Sequence, residues 1–235
     1  MRDRLIVALD TDAHTALALG RELAGNVEYV KIGMTLYYSE GPAIVARFRE
    51  MGYKVFVDLK LYDIPHQVEG AAAAVARTGA SMLTVHASGG VEMMRAAVRG
   101  ACAGAAECDA TSPDVLAVTV LTSMDDESLH DLGIRGSTAT QVELLGLRAR
   151  EAGVQGVVCS PLEAASMRSL LGPEALVVTP GVRPSWAAHG DQARVATPSQ
   201  AIASGASHVV IGRPITESDK PAVAVERIVD QPVEG

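Results

Sequence analysis

Apolar residues along this chain fall into short continuous runs, and between the runs they recur at helical spacing. The runs predict strands at 5–10 (LIVALD), 28–33 (EYVKIG), 54–60 (KVFVDLK), 81–87 (SMLTVHA), 115–122 (VLAVTVLT), 156–160 (GVVCS), 176–180 (LVVTP) and 208–212 (HVVIG). Strands that stay apolar without alternation are buried on both faces, as in a parallel sheet covered by helices. Ala-rich or amphipathic segments such as 65–78, 91–107 and 138–152 supply those helices. Eight strand–helix units in 235 residues predict an α/β chain folded as one (β/α)8 TIM barrel over 1–235.

Local signals mark the joints. Ser160-Pro161-Leu162-Glu163 and Thr197-Pro198-Ser199-Gln200 have the form of capping boxes with proline at the first helical position. Gly79, Gly153 and Gly205 each end a helical run and precede a strand. The stretch 181–196, GVRPSWAAHGDQARVA, has no periodicity and is long for a connection. It follows the seventh strand, so it is expected to be a lid on the catalytic face of the barrel. Residues 230–235 read as a short C-terminal tail.

The polar residues gather where a barrel builds its site, at the C-terminal ends of strands. Asp10 closes the first strand and Lys31 lies late in the second. Asp58 and Lys60 close the third, and Asp63 follows in its loop. Side chains alternate along a strand, so Asp58 and Lys60 are expected on one face. Burying such charges costs several kcal/mol each unless they are paired. Four charges on three neighbouring strands therefore point to a site. His86 ends the fourth strand and is read as structural rather than as a base. Thr122 and Ser123 end the fifth. Pro180-Gly181-Val182-Arg183-Pro184 and Gly212-Arg213-Pro214 follow strands seven and eight, where many barrels hold phosphate. Glycine lets backbone N–H groups approach an anion, and arginine offers a planar fork.

Composition narrows the class. A net charge of −8 with no basic tract argues against a nucleic-acid partner. No stretch approaches the ~18 apolar residues of a membrane span. The opening MRDRLIVALD reads as a first strand rather than a signal peptide. Cys102, Cys108 and Cys159 show no metal or disulfide spacing, which fits a reduced, cytoplasmic protein. No motif for an organic cofactor and no metal-ligand spacing is evident.

The motifs together resemble the orotidine 5′-monophosphate decarboxylase family. They are LIVALD with Asp10, VKIG with Lys31, DLKLYDIP with Asp58, Lys60 and Asp63, VLTS, PGVRP, GDQ with Gln192, and VIGRPI. They occur in the family's order from Leu5 to Ile215. The resemblance implies a dimeric barrel that converts orotidine monophosphate to UMP and CO2 in pyrimidine synthesis, without metal or organic cofactor. It implies that Lys60 protonates pyrimidine C6, with Asp58 and Lys31 in the charge network around it. Asp10, and in part Lys31, would bind ribose, and Thr122 and Ser123 would lie near the base. Arg183, Gln192, Gly212 and Arg213 would hold the phosphate, with Gln192 on the lid. Asp63 would reach the partner subunit's site, with Ile64 and Gln67 beside it as further substrate contacts. The family often has Asn-Thr where this chain has His66-Gln67.

Two other readings use the same barrel. One is a magnesium-dependent 3-keto-gulonate 6-phosphate decarboxylase or hexulose phosphate synthase. Those relatives are expected to carry an acidic residue where Lys31 stands, and an ammonium there repels Mg2+. The other is a nucleotide-binding barrel without catalysis, since fold does not fix function.

Overall fold

Eight parallel strands close on themselves in sequence order. They are β1 (Leu5–Ala8), β2 (Tyr29–Gly33), β3 (Lys54–Leu61), β4 (Met82–His86), β5 (Asp114–Val118), β6 (Gly156–Val158), β7 (Leu176–Thr179) and β8 (His208–Ile211). This is a computed structural model, and it describes residues 1–187 and 196–230.

The continuous apolar runs have a direct cause. Alternate residues fill two separate cores. Ile6, Ala8, Phe56, Met82, Leu116, Val118, Val158, Val178 and Val210 pack together inside the barrel. The outward-facing strand residues Leu5, Val7, Val30, Ile32, Val55, Val57, Leu83 and Val85 belong to the layer between sheet and helices. Burying each Val, Leu, Ile or Phe side chain contributes roughly 1.5–3 kcal/mol, so both faces of every strand favour the closed sheet.

Helices form close to where the spacing predicts them, at Pro65–Arg77, Val91–Ala106 and Thr138–Ala152. Both capping boxes are present, at Ser160 and at Thr197. The third helix stops at Gly153, whose left-handed backbone (φ +78°) suits glycine. The alanine-rich helix Pro65–Arg77 lies unusually close to helix Val91–Ala106. A Cβ on Gly100 would stand 2.1 Å from the Glu69 carbonyl oxygen, and one on Gly104 would stand 2.2 Å from that of Ala73. Bare backbone at both points is what lets these helices touch.

Several strands end earlier than their apolar runs suggest. β1 stops at Ala8, two residues before Asp10, and β5 stops at Val118, well short of Thr122. After β5 the chain leaves the ladder. The Thr119 hydroxyl donates to the Val158 carbonyl at 3.0 Å, and Met124 N–H closes a turn on the Leu121 carbonyl at 2.9 Å. Thr122 and Ser123 are therefore turn residues on the rim, not strand residues. The connection 181–196 is pinned at its base by a bridge between Val182 and Ala196 and by Arg183 N–H on the Ala196 carbonyl at 3.0 Å. Residues 188–195, which include Gln192, and residues 231–235 of the expected tail lie outside the described residues. Among the described residues no helix is long and apolar enough to cross a membrane.

Candidate active site

The inward positions of β2 and β3 change character as they rise. On β3, Phe56 belongs to the inner core and Asp58 stands two residues above it. On β2, Tyr29 packs against that core and Lys31 follows, paired in register with Ala8 of β1 and Phe56 of β3. The same stripe that fills the barrel lower down thus delivers charge at its C-terminal end.

These charges form a chain of alternating sign. Lys31 Nζ lies 2.8 Å from Asp10 Oδ1 and 3.5 Å from Asp58 Oδ2. Lys60 Nζ lies 2.8 and 2.9 Å from the two oxygens of Asp58. Lys31 and Asp58 are only 8% and 9% exposed, so neither charge rests on solvent. Burial pushes the Asp58 carboxyl up. The Lys31 and Lys60 ammoniums, with hydrogen bonds from Lys60 and Thr84, outweigh burial and hold it below the ordinary carboxylate value. Gly33 leaves room for this array, because a Cβ there would meet Asp10 Oδ1 at 2.5 Å.

Asp58 and Lys60 do converge, but simple strand alternation is not the reason. Lys60 has φ +51°, in the left-handed region. A side-chain-bearing residue there costs about 1–2 kcal/mol. The β3–β4 ladder breaks at the same place. Val57 pairs with Leu83 and the next pair is Leu61 with Val85, so β3 advances four residues while β4 advances two. This bulge re-aims Lys60 over the carboxylate, as bulges beside active sites do. Thr84 faces the bulge. Its hydroxyl accepts the Lys60 N–H at 2.9 Å and donates to Asp58 Oδ1 at 2.9 Å.

Above the array opens a cleft of about 510 Å3. Asp10, Lys31, Asp58 and Lys60 line one side, and Arg183, Gly212 and Arg213 line it from the loops after β7 and β8. Thr122 lines it too, and Phe56, Val118, Val158 and Val210 form an apolar floor. One wall can therefore stabilise or protonate a carbanion while two guanidinium groups can hold an anion. His86, half-buried, sets its ring tilted at 46° to that of Tyr62, with centroids 5.7 Å apart. Burial, and then the Lys60 charge, lower its pKa.

Other expected site residues lie outside the cleft. Asp63, Ile64 and Gln67 are exposed on the rim, where Asp63 Oδ1 accepts the Ile64 N–H at 2.7 Å. Ser123 does not line the cleft, although its neighbour Thr122 does. Sequence reasoning passed over Thr11 and Thr15, which line the cleft from the first strand–helix loop and its helix, and Thr84 beneath it. Thr84 was legible in principle as an inward position two residues before His86. Nothing in the sequence announced the bulge that gives it work.

Comparison with known proteins points to one family. Residues 3–228 match the family described as "Orotidine 5'-phosphate decarboxylase / HUMPS family". The chain is 46% identical over 236 residues to an orotidine 5'-phosphate decarboxylase of Heliobacterium modesticaldum, covering 100% of this chain and 97% of the relative. It is 48% identical to one from Anaeromyxobacter dehalogenans, over 96% of each chain. Among solved structures, the orotidine 5'-phosphate decarboxylase of Lactobacillus acidophilus superposes with a TM-score of 0.86 at 38% identity, covering 97% of this chain and 98% of that one. Matched motifs, full-length identity and a shared barrel lead to one conclusion: this chain belongs to the orotidine 5'-phosphate decarboxylase family.

Proposed function

We propose that this protein converts orotidine 5′-monophosphate to UMP and CO2 in pyrimidine biosynthesis, with Lys60 donating the proton to C6. The observation that carries the reading is the Lys60 ammonium, held by both oxygens of Asp58 at the wall of the cleft, with Arg183 and Arg213 also lining it. Loss of CO2 leaves an electron pair on C6 with no organic sink in the chain's motifs. A fixed ammonium stabilises that charge as it develops and then transfers its proton to it. Asp58 lies near the leaving carboxylate and orients Lys60. Lys31 ties Asp58 to Asp10, and Asp10 and Lys31 bind the ribose. Thr122 faces the base from the turn after β5, with Ser123 beside it in that turn but outside the cleft. Arg183, Arg213 and the Gly212 backbone hold the phosphate, and Gln192, outside the described residues, is assigned to the same phosphate.

The working form is a cytoplasmic homodimer with shared sites. Asp63 enters the partner subunit's site, accompanied by Ile64 and Gln67. Support comes from the rim itself, where Tyr62 and Ile64 are each 63% exposed on either side of Asp63. Large apolar side chains so placed are what an interface covers.

The magnesium-dependent alternative is disfavoured by Lys31, whose ammonium sits between Asp10 and Asp58 at 2.8 and 3.5 Å. A cation would have to displace it. The test follows the fall in orotidine monophosphate absorbance with and without EDTA. Turnover indifferent to chelator is the expected result. Turnover only of a sugar phosphate, lost to EDTA and restored by Mg2+, would move the protein to the other branch.

A further inference from the structure

The geometry points to Thr84 as a positioning residue for the reaction, one that holds Lys60 at both ends of its side chain. The inference rests on the decarboxylase reading and adds to it a residue outside the cleft. Four observations carry it. Thr84 is fully buried, at 0% exposure. It is the one β4 residue between the pairs Val57–Leu83 and Leu61–Val85, so it stands opposite Asp58, Leu59 and Lys60 together. Lys60 there adopts φ +51°, which ordinary strand pairing does not supply. Finally, one hydroxyl serves two partners, accepting from Lys60 N–H and donating to Asp58 Oδ1, both at 2.9 Å.

The consequence is a closed ring of hydrogen bonds. It runs from the Lys60 backbone N–H to the Thr84 oxygen, from the Thr84 hydroxyl to Asp58 Oδ1, and from Asp58 back to Lys60 Nζ at 2.8 Å. The backbone of Lys60 is thereby held in its left-handed conformation by the same group that orients the acceptor of its ammonium. A hydroxyl has one proton and two lone pairs, so Thr84 can do both at once. Without it, a part-buried N–H loses its acceptor, Asp58 loses a donor, and the bulge is free to relax. A misplacement of that kind lowers the chemical step far more than it lowers binding.

The test compares Thr84→Val, which keeps the shape and removes the hydroxyl, with Thr84→Ser, which keeps the hydroxyl. Thr84→Val is expected to lower kcat by roughly 10²-fold with KM changed by less than about threefold, and Thr84→Ser to remain within about threefold of wild type. The acid limb of the pH profile gives a second readout. The groups facing Asp58 are Lys31, Lys60, Thr84 and His86, with Asp10 reached through Lys31. Removing a donor to the charged form raises the Asp58 pKa, so Thr84→Val should lose activity at higher pH on acidification than Thr84→Ser. Equal losses in both variants, or a Thr84→Val enzyme with wild-type kcat and an unmoved acid limb, would overturn the inference. If Thr84→Val does not fold, Thr84→Ala is read by the same two measurements. If the wild-type chain does not turn over orotidine monophosphate, the decarboxylase reading fails by itself. The positioning claim is then judged from crystal structures of the variants. Lys60 leaving φ +51° in Thr84→Val but not in Thr84→Ser supports it, and an unchanged φ in both overturns it.

Discussion

At the scale of single residues, the proposed chemistry concentrates on one ammonium. Lys60 is both the proposed proton donor and the positive end of the charge chain. Lys60→Ala should reduce turnover by at least ~10³-fold, since donor and stabiliser are lost together. UMP binding, measured calorimetrically, should stay within about tenfold because the phosphate and ribose contacts remain. Near-normal turnover in folded Lys60→Ala would sink the assignment. A second residue acts on stability instead. His208 sits at the start of β8, its ring edge-on to Tyr29 with centroids 5.1 Å apart. Burial, assisted by the Arg4 charge, pushes its pKa down to about 4. In the unfolded chain the ring takes a proton near pH 6.5. Its contribution is therefore fully present above that pH and is lost as pH falls toward about 4. Urea unfolding should show His208→Leu losing about 2 kcal/mol less than wild type between pH 7 and pH 5. Identical pH dependence in both proteins would show that this ring is not buried neutral.

At the scale of elements, the strand runs and the caps were legible because they follow from local rules. An apolar run with both faces buried is a parallel strand, and proline after Ser160 or Thr197 starts a helix whichever barrel it joins. The strand ends were less legible. The run VLAVTVLT stays apolar beyond Val118, but Val118 is the last residue in register with β4 and β6, and Thr119 adds only one backbone bond, to the Val158 carbonyl at 3.1 Å. The contact between helices Pro65–Arg77 and Val91–Ala106 was equally hidden, since small residues suit any helix. It supports a specific expectation. Gly100→Ala places a Cβ 2.1 Å from the Glu69 carbonyl oxygen, a backbone atom that cannot rotate away. The variant should be destabilised by roughly 1–3 kcal/mol, seen as a lower midpoint in chemical denaturation. The kcat of the folded fraction should be unchanged, because the contact lies on the outside of the barrel. A variant as stable as wild type would mean that the two helices separate at little cost.

At the scale of the whole molecule, the proposed dimer makes the sharpest claim. Asp58 and Lys60 face the cleft of their own chain, whereas Asp63 lies exposed beyond the strand. If Asp63 completes the partner's site, Lys60→Ala and Asp63→Asn chains should complement each other. Each is expected to be nearly inactive alone. Unfolded together and reassembled, half of the dimers are mixed, and half of the sites in those dimers receive both intact residues. Activity should recover to roughly a quarter of wild type. Absence of recovery, with mixed dimers demonstrated by mass spectrometry, would refute the shared site and leave Lys60 in its role.

What the sequence by itself determined is the set of local commitments. Eight two-faced apolar runs alternating with helices dictate a parallel barrel, and charged residues at the ends of three runs mark the rim where the cleft opens. Asp10, Lys31, Asp58, Lys60, Arg183 and Arg213 all line the cleft as their positions at strand ends imply. Only the tertiary structure decided how they meet. The bulge at Lys60 depends on a mismatch between β3 and β4, and Thr84 matters only because it faces that mismatch. Register between strands is a property of pairs of segments far apart in the chain, and no periodicity within either one records it.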